Sequence, residues 1–490
     1  MDFKPSNEQN AIFDCIMNET CNIGIEAAAG SGKTTTIVKA IDHLDFDDTV
    51  AFFAFNKSIA NELKIRINNS EVDICTNHSL GFKLINRYYR SVKLNEAVHY
   101  FRIKALVSRH VDLSEKKNKK YYERINALVT LYKLYRCNMV KSTEDIWNLV
   151  DHHGLMVADL EMKWFLEYVE EVKDYYFNAS KIDIDFTDMI YLPHLLELSY
   201  PQYDYVFVDE AQDLNRCQQL SVMKSCSQYG RIIFVGDRMQ AIYGFTGADS
   251  QSFQTLIDES QAKLFPLNTS YRCAKKVIEK AQRLNPKIQF FDKNPDGEIK
   301  EETFIDDLQP RDFVLCRNTQ PLLELFWSLV EHEMPCYIKG QDIGDNIVKI
   351  IRNMSNMPAD IVISILREKE NEAIKLLEER GVTNYKNHPT YQKKKDDRVI
   401  IQKLVNKYHT IDKVIEKVEE IFKDEGEGIV LSTIHKSKGL ESDRVFFLKP
   451  ELLPSQYAIK DWQIQQEKNL EYVMITRAKN FIGYLQPYKK

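Results

Sequence analysis

GIEAAAGSGKTTTIVKA occupies residues 24–40. It closes a short apolar run, turns on Gly30 and Gly32, and ends in residues that suit a helix. Glycines ahead of a Lys-Thr pair let successive backbone N–H groups converge on an anion at a helix N-terminus. Residues 27–34 fit the phosphate-loop pattern G-x-x-x-x-G-K-[ST], except that Ala27 stands where the first glycine is usual. Ala28, Ala29, Gly30, Ser31, Gly32, Lys33, Thr34 and Thr35 are therefore the expected nucleotide cradle. Lys33 is expected to contact the β- and γ-phosphates, and Thr34 to ligate Mg2+. Kinases, transporters, GTPases and motors all carry such a loop, so it predicts a phosphate site without its use.

Composition narrows the class. A chain of 490 residues predicts roughly three domains. At 44% hydrophobic and 28% charged it has the profile of a folded globular protein. The net charge of −6 excludes a generally basic chain, so a polyanion would need a locally basic groove. The nine cysteines form no CxxC pair, which argues against a zinc site or a disulfide framework and fits a reducing compartment. The N-terminal MDFKPSNEQN lacks the apolar core of a signal peptide. No apolar run approaches the ~18 residues needed to span a membrane. An intracellular protein with no membrane partner is expected.

Apolar runs at residues 23–28, 50–55, 205–208, 232–235, 313–316, 429–432 and 445–448 read as buried strands of parallel sheets. The residues that follow most of them are chemically suggestive: GSGKT, FNK, DEAQD, GDRMQ, CRN and TIHKSKG. Open α/β sheets place ligand sites there, at the carboxyl ends of strands. Two stretches break the rhythm and read as mainly helical insertions. The expected organisation is a first lobe from residues 1–90 and 184–265, interrupted by an insertion at 91–183. A second lobe from 266–334 and 426–490 is interrupted at 335–425.

YVFVDEAQD (residues 205–213) delivers two adjacent carboxylates from an apolar strand. Asp209 is placed to hold Mg2+, and Glu210 to polarise the water that attacks a γ-phosphate, because hydrolysis needs an oriented nucleophile. A lone Asp-Glu pair is ordinarily a solvated turn; the phosphate loop upstream favours the catalytic reading.

With this stretch in place, the chain resembles the UvrD/Rep branch of superfamily 1 DNA helicases. SNEQNAI (6–12) is similar to that family's Q motif, AFFAFNKSIANELKIR (51–66) to motif Ia, and TNHSLGFKLI (76–85) to motif Ib, with Asn77 departing from the usual phenylalanine. IDFTDMI (184–190) resembles the short element before the acidic strand, and VGDRMQAIYGFTGA (235–248) resembles motif III. SYRCAKKVIEKA (270–281), STIHKSKGLESDRVFF (432–447) and EYVMITRAK (471–479) resemble motifs IV, V and VI. The matches fall in the family's order across nearly the whole chain.

The resemblance implies an α/β fold of two RecA-like P-loop NTPase lobes with parallel sheets, each carrying a mainly helical insertion, with ATP between the lobes and Mg2+ beside it. It implies that Gln9 reads the adenine edge, Tyr271 stacks on the base, Glu441 lies near the ribose and Gln240 senses the γ-phosphate. Arg272 and Arg477 match arginines that reach the γ-phosphate from the second lobe, where cations lower the barrier to phosphoryl transfer. Taken alone, either arginine reads more readily as a structural ion pair; within SYR and TRA after apolar strands the γ-phosphate reading is favoured. Thr35-Thr36 departs from relatives that carry an arginine soon after the GKT, which shifts adenine recognition toward Gln9 and Tyr271.

For DNA, the resemblance implies contacts from Phe55, Asn56, Thr76, His78, Tyr243, Phe245, Thr433 and His435, since strand binding needs stacking faces and phosphate donors. Phe245 stands where relatives often carry tryptophan. Each such aromatic also reads as core. RHVDLSEKKNKKYYERINALVTLYKLYR (109–136) is basic with interleaved tyrosines and suits either a duplex contact or a solvated helical face. The second insertion is shorter than that of most relatives. The activity implied is an ATP-dependent DNA helicase and translocase, its 3′–5′ polarity suggested by HKSKGLE and QAIYGF. The alternatives are a superfamily 1 RNA helicase or remodelling ATPase, or a P-loop kinase or nucleotide-gated binding protein. Expected partners are single-stranded DNA and single-strand/duplex junctions, with replication or repair proteins beyond them. A monomer is the default, in a host cell if the origin is viral.

Overall fold

The computed structural model describes residues 3–112, 119–244, 251–352, 354, 357–379, 385–387, 389–423 and 426–486. The chain divides into two compact units, Met1–Asn268 and Thr269–Lys490. Among the described residues, no helix is long and apolar enough to cross a membrane.

The first unit is built on β1 (Ile23–Ala27), β2 (Val50–Phe53), β3 (Val72–Cys75), β6 (Tyr203–Val208), β7 (Cys226–Gly236) and β8 (Lys263–Leu267), with β4 (Ser91–Leu94) and β5 (Lys181–Ile184) forming a separate parallel pair. The six main strands run parallel in the order β3-β2-β6-β7-β1-β8. β2 reads VAFF and is buried throughout, as expected where helices cover both faces of a parallel sheet. The helices are α1 (Asn7–Asn18), α2 (Lys33–Ala40), α3 (Lys57–Ile67), α4 (Asn77–Tyr88), α5 (Val98–His110), α6 (Lys119–Asn138), α7 (Thr143–His153), α8 (Asp159–Asn178), α9 (Phe186–Leu195), α10 (Arg216–Ser225) and α11 (Ser252–Ser260).

Helices α5–α8 make the first insertion, between β4 and β5. Their aromatic core, with Tyr132, Phe165, Tyr168 and Tyr176, is continuous with Ile85 of α4, Ile190 of α9 and Cys217 of α10. The insertion therefore shares its core with the lobe that bears it. α4 and α9 meet almost backbone to backbone: a Cβ at Gly81 would lie 1.8 Å from the Met189 carbonyl oxygen. Inside the insertion, Arg136 is almost wholly buried and bonds Asp185 at 2.7 and 2.8 Å and Asp188 at 2.6 Å. His99 Nε2 lies 2.7 Å from Asp188, and the Tyr176 hydroxyl donates to Asp188 at 2.8 Å. Burial alone would raise the Asp188 pKa, but His99 and Arg136 hold it below the usual carboxylate range.

The second unit carries β9 (Thr269–Ser270), β10 (Gln289–Phe290), β11 (Glu298–Thr303), β12 (Phe313–Cys316), β13 (Cys336–Lys339), β14 (Phe422–Lys423), β15 (Ile429–Thr433), β16 (Ser442–Leu448) and β17 (Ala478–Leu485). Seven of these form a parallel sheet in the order β11-β17-β16-β12-β15-β13-β14. Its helices are α12 (Lys275–Ala281), α13 (Thr319–Glu331), α14 (Gln341–Arg352), α15 (Ala359–Glu379), α16 (Pro389–Tyr408), α17 (Ile411–Ile421) and α18 (Asp461–Ile475).

Both sheets are larger than the apolar runs predicted. β3, β8, β11, β13, β14 and β17 are short, at an edge, or mixed in polarity, so they lack the signature of a buried strand. β8 tolerates Pro266 because it is an edge strand of the sheet. Two expected boundaries move accordingly. The first lobe continues past 265, which falls inside β8. The second helical run begins after β13 rather than at 335, because the sheet takes in Cys336–Lys339. Ile347, Val362, Leu404 and Val418 of that run share one core with Val314, Leu431 and Phe446 of the sheet.

Candidate functional site

β1 runs straight into the phosphate loop. Gly30 and Gly32 take φ of 73° and 83°, values that L side chains rarely adopt, and α2 begins at Lys33. No side chain caps this helix, so its first N–H groups are available to an anion. Ala28 and Ala29 are buried beneath the turn. Ser31 is also buried, and its hydroxyl has no hydrogen-bond partner among the described residues. A buried orphan hydroxyl in a loop of this shape fits a phosphate group.

The acid pair lies against this loop. Thr34 Oγ1 donates to Asp209 Oδ2 at 2.9 Å, and Lys33 Nζ lies 3.5 Å from Glu210 Oε1. Asp209 ends the buried run of β6, and its own N–H donates to the Phe53 carbonyl of β2 at 3.2 Å. Burial, with the Glu210 charge adding to it, pushes the Asp209 pKa up to about 6. Glu210 is strained into left-handed backbone at φ 52°, which turns its side chain out of the strand register. The residue types suit a divalent cation: Thr34 and Asp209 are hard oxygen donors already in contact.

Two residues complete the arrangement that were quoted within motifs without being singled out. Gln212 donates to Glu210 Oε2 at 2.5 Å and accepts from the Asp237 N–H at 3.0 Å. Asp237 in turn accepts from Gln240 Nε2 at 2.7 Å. Burial raises the Asp237 pKa, with Lys33 opposing. Gln240 is thus linked by hydrogen bonds through Asp237 and Gln212 to Glu210. Their positions inside VGDRMQ and DEAQD were the signal that could have found them.

Gln9 is committed on both ends of its amide. Its Oε1 accepts from the Ser6 N–H at 2.9 Å in a capping box, and its Nε2 donates to Thr36 Oγ1 at 2.9 Å. One N–H and one lone pair remain for a base edge. Thr35 accepts from Arg66 Nη2 at 3.0 Å, so a guanidinium from the end of α3 reaches the first turn of α2.

The expected strand contacts separate into distinct classes. Phe55 and Tyr243 stack, with ring centroids 5.9 Å apart and planes 14° from parallel. Asn56 and Thr76 serve as the N-caps of α3 and α4. His78 packs edge-on to Phe186, and burial lowers its pKa. Asn77, the departure in motif Ib, is buried with Oδ1 lacking a partner among the described residues. Phe245 lies outside the described residues.

In the second unit, Thr433 ends β15 and accepts weakly from the Lys436 N–H at 3.4 Å. Burial, with nearby Arg317, pushes the His435 pKa down to about 4. His435 is therefore uncharged at neutral pH, and any backbone contact it makes is not an ion pair. Arg272 Nε lies 2.5 Å from Glu441 Oε2, and Lys479 Nζ 2.9 Å from Glu441 Oε1. Burial would raise the Glu441 pKa, but Arg272, Lys479 and Arg477 outweigh it and hold it down. Arg477 is buried and donates to the carbonyls of Val473 and Leu440, both at 3.0 Å. Tyr271 is exposed beside Phe291, ring centroids 5.0 Å apart.

The basic stretch of the first insertion is largely neutralised where it is described. Arg109 pairs with Glu171 at 2.8 Å, Arg124 with Glu161 at 2.8 Å, and Arg136 is the buried cation described above. This favours the structural reading of that stretch over a duplex contact; residues 113–118 lie outside the described residues.

A parallel sheet whose first strand feeds such a loop, with a buried acid pair touching the loop's threonine and lysine, defines a P-loop NTPase. A family model described as the UvrD/REP helicase N-terminal domain matches residues 6–261, and one described as the UvrD-like helicase C-terminal domain matches residues 330–484. The chain belongs to the UvrD/Rep-like family of superfamily 1 DNA helicases. It is 25% identical to F-box DNA helicase protein 1 of Schizosaccharomyces pombe, over 97% of this chain and 56% of that protein. It is 22% identical to the ATP-dependent DNA helicase Rep of Buchnera aphidicola subsp. Acyrthosiphon pisum, over 95% of this chain and 92% of that protein. It is 26% identical to the ATP-dependent DNA helicase PcrA of Staphylococcus epidermidis, over 53% and 37%. The chain thus spans little more than half of the first relative and nearly all of the second.

Proposed function

We propose that the protein hydrolyses ATP to move 3′–5′ along single-stranded DNA and to unwind duplex ahead of it. The observation that carries this reading is continuity within the first unit. Gln240, bonded to Asp237 and through Gln212 to the Glu210 side chain, ends the short turn that leads in three residues to Tyr243, which stacks on Phe55. The backbone of Asp209 hangs on Phe53, two residues before Phe55. The groups proposed for nucleotide chemistry and those proposed for strand stacking are therefore carried by neighbouring strand ends.

Thr34 and Asp209 are the residues that would hold Mg2+, which supplies positive charge against phosphate oxygens. Lys33 is paired with Glu210 at 3.5 Å, and incoming phosphates compete for it. Once Lys33 turns to phosphate, Glu210 is released to accept a proton from the attacking water, with Gln212 holding its other oxygen at 2.5 Å. Gln240 reports the γ-phosphate. Arg272 and Arg477 supply further cations to the charge that develops on it, Arg272 leaving Glu441 to do so. Binding and loss of the γ-phosphate then shift the grip on the strand by their differential affinity for the two states. Gln9 and Tyr271 select adenine. Replication and repair are the processes in which such an activity fits.

Duplexes with a 3′ or a 5′ single-stranded tail test the reading, with Lys33→Ala as control. Unwinding from the 3′ tail, dependent on ATP and lost in the variant, is expected. Unwinding from the 5′ tail alone overturns the polarity. ATP turnover stimulated by RNA and not by DNA overturns the substrate, and turnover indifferent to both overturns the helicase reading.

A further inference from the structure

Cys15 Sγ and Cys21 Sγ lie 3.7 Å apart, in van der Waals contact. Cys15 sits near the end of α1 and is 3% exposed; Cys21 follows the helix, ahead of β1, and is partly exposed. One buried guanidinium pins both backbones. Arg231, at the start of the buried part of β7, donates from Nε to the Cys21 carbonyl at 2.9 Å, from Nη2 to the Cys15 carbonyl at 3.2 Å, and from Nη1 to the Ile16 carbonyl at 2.7 Å. Glu19, between the two cysteines, is tied by both oxygens to Lys263 of β8 at 2.7 and 2.9 Å. The segment is thus fixed from two sides, with its two sulfurs facing each other.

We propose that Cys15 and Cys21 form a reversible intramolecular disulfide, with hydrogen peroxide as the oxidant. The sulfurs need to close by about 1.7 Å to reach bonding distance. In the first step the accessible Cys21 sulfur attacks one peroxide oxygen. The O–O bond breaks, the sulfur becomes a sulfenic acid, and one water leaves. In the second step the Cys15 sulfur displaces the sulfenic hydroxyl, and its proton leaves with that hydroxyl as a second water. Two thiols have lost two electrons and two protons in all, and a dithiol reductant returns them. Burial, reinforced by Cys21, pushes the Cys15 pKa up to about 12, which makes Cys21 the sulfur oxidised first.

The same groups argue against a metal. Cys15, Glu19 and Cys21 cluster closely enough to offer three ligand atoms, but the Glu19 carboxylate is already occupied by Lys263 and Cys15 holds its proton. The disulfide links the end of α1, whose start carries Gln9, to the chain leading into β1, whose end becomes the phosphate loop. It closes covalently a junction that Arg231 already closes by hydrogen bonds, and so stabilises the first unit without rearranging it.

The experiment uses the full chain treated with hydrogen peroxide, then quenched, denatured and titrated for thiols. Of the nine cysteines, two fewer react after oxidation than before, and a reductant restores them. Peptide mass analysis shows 15 and 21 joined, with the loss of two hydrogens. The oxidised protein melts higher than the reduced one, and Cys21→Ser abolishes both the cross-link and the shift. Cys15→Ser provides the second arm; Cys21→Ser, at the partly exposed position, keeps the test readable if the buried substitution fails to fold. Retention of all nine thiols, or pairing of either sulfur with another cysteine, overturns the proposal.

Discussion

Thr34 and Asp209 are 175 positions apart in sequence, yet Thr34 Oγ1 donates to Asp209 Oδ2 at 2.9 Å. This one bond joins the phosphate loop to the acidic strand. It depends on the sheet placing β1 and β6 with only β7 between them.

Asp209→Asn is expected to stabilise the protein while abolishing ATP turnover. Because the folded-state pKa of Asp209 is raised to about 6 from an ordinary 3.8, the folded state binds this proton more tightly than the unfolded state. The group's contribution therefore falls as pH rises from 3.8 to about 6 and stays low above that. Asparagine removes the loss, which is about 3 kcal/mol. Thermal melts at about pH 7.5 should place the variant above the parent, with the gap closing as pH falls below 6. Equal melting at both pH values would contradict the raised pKa.

Gly81→Ala is expected to destabilise the first unit by roughly 2–4 kcal/mol, because the new methyl would meet the Met189 carbonyl at 1.8 Å and α4 and α9 would have to separate. Denaturant melts measure this directly. A variant as stable as the parent would mean that the two helices are not in backbone contact.

Arg136→Met leaves Asp185 and Asp188 close together in the insertion core without their cation, a loss of roughly 3–5 kcal/mol. The variant is expected to regain part of its stability in acid, where Asp188 takes up a proton and the uncompensated charge disappears. The parent, whose Asp188 pKa is held low, loses stability over that same acid range. Opposite slopes of melting temperature against pH are the result to look for.

Phe55→Ala is expected to weaken single-stranded DNA binding about ten-fold or more, since a stacked base contributes roughly 1–3 kcal/mol. The KM for ATP in the absence of DNA stays unchanged. Gln9→Ala does the reverse: it raises that KM and relaxes the preference for ATP over GTP, with DNA affinity preserved. Fluorescence anisotropy and steady-state turnover separate the two, and an effect of Phe55→Ala on ATP alone would place that ring with the nucleotide.

How much was legible depended on whether a residue's role is local. Lys33, Thr34, Asp209 and Glu210 were readable because a phosphate loop and an acid pair after an apolar strand are short, contiguous patterns. Gln212 and Asp237 were in plain view within those motifs, but the hydrogen bonds that make them matter run between separate strand ends. The two readings of residues 109–136 stayed open in the sequence for the same reason. Glu161 and Glu171, which cancel Arg124 and Arg109, come from a different helix. β13 was hidden because four residues at the start of a helical run carry too little periodicity to be told from it.

By itself the sequence determined the two parallel-sheet units, the phosphate loop with its acid pair, and the family, because hydrophobic runs and motif residues act over a few neighbouring positions. Only the tertiary structure decided which partner holds each of these groups. It buries Arg136 and Arg477, ties Arg272 to Glu441, leaves His435 neutral, and brings Cys15 against Cys21 under Arg231. The charge state of a side chain is set by desolvation and by partners within a few ångströms, and most of those partners come from distant parts of the chain.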